Sequence, residues 1–100
     1  MRKLGDFLKA ESTVEPFPLD IGDDENGPLL FHDPRDITAD AVEEVQRTNS
    51  LKLTVQHMLR DDFSRGWKVL GKLKSRELGD LLDEIKEYFR SRDVDEKPES

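Results

Sequence analysis

The sequence predicts a mainly α-helical fold: a small bundle of about four helices, three short and one long and C-terminal, with an extended or β-hairpin N-terminal arm and a disordered acidic C-terminal tail. Three observations carry this. From Ser75 to Arg92, Leu78, Leu81, Leu82, Ile85 and Phe89 recur at i, i+3, i+4, i+7 and i+11, which puts them on one helical stripe. Shorter stripes of the same period precede it. Charged residues make up 39% of the chain and hydrophobic ones 34%, so the core must be thin, and 100 residues fit one small domain. The expected division is an N-terminal arm over 1–35, a helical domain over 36–92 and the tail over 93–100.

Leu4, Phe7 and Leu8 allow one short amphipathic turn near the start, limited by Gly5 and by Pro16 and Pro18. Phe17, Leu19 and Ile21 alternate with Pro18 and Asp20, a strand period. The run from Gly22 to Pro28 is a turn by composition, and Leu29-Leu30-Phe31 follows as a second apolar run. The span 17–31 is therefore a short hairpin, or an extended arm that orders only against something else. An isolated two-stranded hairpin is marginal in water.

Thr38 or Asp36 is placed to cap a helix over 39–47, with Ile37, Ala41, Val42 and Val45 on its apolar side, and Thr48-Asn49-Ser50 breaks it. Leu51, Val55, Met58 and Leu59 form the next stripe. Asp61-Asp62 is expected to cap a third helix carrying Phe63, Trp67 and Leu70, which Gly71 ends. Ser75 is the expected N-cap of the long helix, with Glu77 in its first turn and Arg90 and Arg92 in its last. Gly79 alone opposes that helix, at about 1 kcal/mol relative to Ala.

Charge is unevenly distributed. The net charge is −7, yet residues 36–92 carry as many bases as acids, so the acid excess lies in the flanks. Such flanks favour solubility and disfavour non-specific nucleic-acid binding. The chain has no cysteine, no long apolar run at its start and no run of membrane-spanning length, so a soluble intracellular protein is expected, bound to no membrane and no nucleic acid.

Chemistry-bearing motifs are missing. The acids at 20–25 do not fit a calcium loop, and a solvated turn explains them. His32 and His57 lie far apart, and His57 has no i+4 partner on its helix. No serine sits in a nucleophile elbow and no glycine-rich phosphate loop occurs. Asp80, Asp83, Glu84 and Glu87 follow the solvated side of a helix. No enzyme, cofactor or metal is expected. One segment is basic: Arg60, Arg65, Lys68, Lys72, Lys74 and Arg76, around Trp67. A small helical DNA-binding regulator is the reading it invites, but Asp61 and Asp62 would stand at the mouth of the recognition helix, where phosphates approach. The preferred reading is that the basic stems flank Trp67 and balance the acidic final helix. A third reading is an acidic adaptor or inhibitor of a host protein.

The order of features resembles a known family. Phe17-Pro18-Leu19-Asp20-Ile21 precedes an acidic turn. Asp36-Ile37-Thr38, Leu53 to Leu59, Asp61 to Trp67 and Glu77 to Phe89 follow in sequence. This resembles the short form of the tail assembly chaperones of long-tailed bacteriophages, over about residues 17–92. The resemblance implies a small acidic helical protein of the host cytoplasm that binds the tape measure protein, keeps it soluble, helps recruit tail tube protein subunits and is absent from the finished tail. It implies no catalytic residue. The apolar stripes suit helix-in-groove capture of an amphipathic client, and self-association is a further way to cover them. The candidate partner-binding residues are Phe63, Trp67, Leu70, Ile85 and Phe89, so far as the core does not take them.

Overall fold

The computed structural model describes residues 1–10 and 12–96. It is mostly helical with one two-stranded hairpin. Strands β1 (Phe17–Leu19) and β2 (Leu29–Phe31) are followed by helices α1 (Ala39–Thr48), α2 (Leu51–Leu59), α3 (Phe63–Leu70) and α4 (Ser75–Glu96). Single 3-10 turns lie at Leu4–Asp6, Pro34–Asp36 and Arg60–Asp62.

Of the two forms open to 17–31, the hairpin is present. The strands pair antiparallel, Phe17 opposite Phe31 and Leu19 opposite Leu29. Alternation on β2 turns Leu29 and Phe31 inward, both fully buried, and Leu30 outward. The connecting turn is built by carboxylates: Asp20 accepts from the Gly22 amide at 2.8 Å, and Asp23 from the Glu25 and Asn26 amides, each at 3.1 Å. Hydrogen bonding from Asn26 is the chief cause holding the Asp23 carboxyl below its ordinary pKa. Gly22 and Gly27 meet the positive φ that this turn needs, at 80° and 77°.

The hairpin shares its core with the helices. Leu29 and Phe31 cluster with Val55, Met58, Leu59, Leu70, Leu78, Leu82, Ile85 and Phe89. Two hydrogen bonds secure it. The His32 amide donates to the Met58 carbonyl at 2.8 Å, joining the end of β2 to α2. The Tyr88 hydroxyl donates to the Glu15 carbonyl at 3.1 Å, and the Tyr88 ring meets Phe17 edge-on at 5.1 Å. Asp33, buried after β2, is closed by Arg35 through its amide and guanidinium, both at 2.9 Å. Burial pushes the Asp33 carboxyl up, but hydrogen bonds from Arg35 and Ser12 outweigh it and the net shift is downward.

The helix boundaries follow local chemistry. Thr38 caps α1 by accepting from the Ala41 amide at 3.3 Å, and Asn49 ends it in the left-handed region. Ser50 caps α2 through the Leu53 amide at 3.1 Å. Two expectations are corrected. Asp61-Asp62 does not cap α3: with Arg60, whose φ is 57°, those residues form a 3-10 turn, and Asp62 makes no side-chain cap bond. Gly71 ends α3 as expected, and it does so at φ −65°, so left-handed freedom is not its role. A Cβ there would lie 2.8 Å from the Trp67 carbonyl oxygen. The long helix already includes Ser75, and Glu77 accepts from the Lys74 amide at 2.8 Å, so capping falls one residue earlier. Of the tail expected to be disordered over 93–100, the backbone of 93–96 continues α4, and 97–100 lie outside the described residues.

Candidate partner-binding surface

The five candidate residues divide between core and surface. Leu70, Ile85 and Phe89 are buried and leave nothing for a partner, which corrects their assignment as contact residues. The physical reason is that β2 lies against the helices, so Leu29 and Phe31 occupy the same cluster as these side chains. The α4 stripe is consumed with them: Leu78 and Leu82 are buried too, and Leu81 is half-buried.

Phe63 and Trp67 are placed differently. One helical turn apart on α3, they pack on the edge of the core and remain half-buried. Their rings stack at 5.8 Å between centroids and 26° between planes. The Lys52 ammonium of α2 lies 5.8 Å from the Trp67 ring centroid, at the outer range of a cation–π contact. Gly71 admits the ring: a Cβ at that position would stand 3.1 Å from the indole nitrogen. The result is a flat aromatic step with a basic border. It can hold an apolar side chain and attract an acidic one, but it has no group suited to bond-making chemistry.

Arg65, one of the bases of the basic segment, is used inside the molecule. Its guanidinium donates to the Gly27 carbonyl at 2.8 Å and the Pro28 carbonyl at 3.2 Å, and pairs with Asp23 at 3.4 Å and Asp62 at 3.5 Å. It clamps the hairpin turn to α3. Sequence reading missed this role because the carbonyls it binds are nearly forty positions away and have no residue signature. Arg65→Met is expected to destabilise the fold by about 1 kcal/mol. Arg65→Lys should not restore it, because one ammonium does not span both carbonyls. Urea unfolding followed by Trp67 fluorescence checks both variants.

Elsewhere, an open depression of about 340 Å³ lies beside the 33–36 turn, lined by Ser12, His32, Asp33, Asp36 and Arg60 among others. Two of its acids are engaged in structure: Asp36 accepts from the Ser12 amide at 3.0 Å and Asp33 is held by Arg35. The Ser12 hydroxyl accepts from the Val14 amide at 3.1 Å. Among the described residues no three His, Cys, Asp or Glu side chains are grouped to hold a metal ion, and no helix is long and apolar enough to cross a membrane. Comparison of the chain with protein-family models, curated proteins and solved structures found no match.

Proposed function

We propose that this protein is a phage tail assembly chaperone that binds the tape measure protein, keeps it soluble in the host cytoplasm and helps recruit tail tube subunits before leaving the assembly. Two things support this: the order of residue motifs over 17–92, and the stacked Phe63–Trp67 pair, which is the observation that carries it. Once Leu70, Ile85 and Phe89 are taken by the core, this stacked pair remains half-buried at its edge. A half-buried aromatic pair beside a lysine fits an amphipathic client helix that offers a leucine flanked by an acid. The net charge of −7 would keep a loaded complex in solution. A DNA-binding reading loses ground, because Arg65 faces the hairpin turn.

Co-expression with a helical fragment of a tape measure protein tests the proposal. The fragment is expected in the soluble fraction with the native chain and largely in the pellet with Trp67→Ala, while circular dichroism of that variant stays helical. A fragment equally insoluble with and without the native chain ends the proposal.

A further inference from the structure

The hairpin turn holds a reactive pair of residues. Asn26 is followed by Gly27, and a glycine has no Cβ to hinder its own amide nitrogen. In an unstructured chain that nitrogen attacks the asparagine Cγ. The N–Cγ bond forms, the Cγ–Nδ2 bond breaks, and ammonia leaves carrying the proton lost by the glycine amide. Water then opens the cyclic imide at either carbonyl, which gives an aspartyl or an isoaspartyl residue. Three hydrogen bonds to Asp23 oppose the first step here. The Gly27 amide donates to the Asp23 backbone carbonyl at 3.0 Å, so the proton that must leave is engaged. The Asn26 side-chain amide donates to the Asp23 carboxylate at 3.0 Å, and the Asn26 backbone amide does so at 3.1 Å. Ring closure has to break the first two of these bonds. Asn26 itself is exposed, so water and base reach it.

We infer that Asn26 is a site of spontaneous deamidation that Asp23 holds in check, and that its isoaspartyl product undoes the Arg65 clamp. The consequence follows from where the turn is tied. Arg65 holds the Gly27 and Pro28 carbonyls at 2.8 Å and 3.2 Å. An isoaspartyl link inserts an extra main-chain carbon between positions 26 and 27, so both carbonyls cannot keep their places against Arg65. Hydrolysis also replaces an amide donor to Asp23 by a second carboxylate, and like charges then face each other. The fold thus shields the residue whose change would loosen it, and a turn that opens more often ages faster. The inference stands apart from the client reading, since it uses neither Phe63 nor Trp67.

Ageing the full chain in mildly alkaline buffer, then digesting it and following the Asn26 amide by mass spectrometry, tests this. The folded chain is expected to convert at Asn26 roughly tenfold or more slowly than the same chain unfolded in guanidinium chloride. Asn49, followed by Ser50 and its Cβ, should stay intact over the same period. Asp23→Ala should convert several-fold faster than the native chain with unchanged helix content by circular dichroism. Asp23→Asn, a weaker acceptor of the same shape, should fall between the two. Arg65→Met leaves the three bonds to Asp23 in place and should accelerate the reaction less than Asp23→Ala. Aged chain enriched in isoaspartate should unfold at lower urea than fresh chain. A folded chain that converts as fast as the unfolded one overturns the inference, as does conversion at Asn49 before Asn26. So does an Asp23→Ala rate equal to the native rate, or an Arg65→Met rate equal to that of Asp23→Ala, which would place the restraint in overall stability. An isoaspartyl chain with the native urea midpoint removes the link to the clamp.

Discussion

Phe31→Ala is expected to lower the stability of the whole chain by about 3–5 kcal/mol, a large part of the 5–15 kcal/mol typical of a domain. Phe31 is fully buried, lies in one cluster with Met58, Ile85 and Phe89, and meets the Phe17 ring near edge-on at 6.4 Å. Truncation leaves a cavity that β2 cannot close, because its backbone is pinned by the His32–Met58 bond on one side and the pairing with β1 on the other. The measurement is urea unfolding followed by the far-ultraviolet helix signal and by Trp67 fluorescence, both of which report on the helices. Coincident transitions moved to lower urea are the expected result. Were the hairpin a detachable arm, the helix signal would unfold at its native midpoint, and the shared core would be refuted.

Two glycines on helices should respond to alanine in opposite directions. At Gly66 in α3, an added Cβ would sit 2.5 Å from a Leu59 methyl and 3.2 Å from a Leu29 methyl. Leu59 and Leu29 are buried, so neither methyl has space to retreat into. Overpacking of this kind costs about 1–3 kcal/mol, and the helix preference for alanine returns only about 1. The net expectation for Gly66→Ala is a loss of up to about 2 kcal/mol. At Gly79 in α4, an added Cβ meets nothing within 4 Å. There the propensity gain stands alone, and Gly79→Ala should stabilise by about 0.5–1 kcal/mol. Since 1 kcal/mol moves the midpoint of a domain this size by about 4–8 °C, thermal melts resolve the contrast. A Gly66→Ala variant that melts above the native chain would show that α3 does not approach α2 and β2 this closely.

The helices were legible because their causes are local. Thr38, one of the two candidates, caps α1 as its residue type predicts, and Leu78, Leu82, Ile85 and Phe89 recur on the buried face of α4. The candidate surface was legible only in part. Phe63 and Trp67 remain half-buried at the edge, but Leu70, Ile85 and Phe89 follow the same helical spacing and lie inside. A stripe at i, i+4 and i+7 is identical whether a neighbouring element or a separate partner covers it, so spacing alone does not separate the two.

What the sequence by itself determined is the mainly helical class, the positions of the helices, the hairpin's alternation and the absence of familiar reactive motifs, all set by contacts within a few residues. Only the tertiary structure decided which flank of each stripe is covered. The Arg65 clamp on Gly27, the Tyr88 bond to Glu15 and the approach of Leu29 to Gly66 join residues dozens of positions apart. Periodicity does not encode such distances. They follow from how the hairpin and helices exclude water together, and that joint packing leaves Phe63 and Trp67 at the edge.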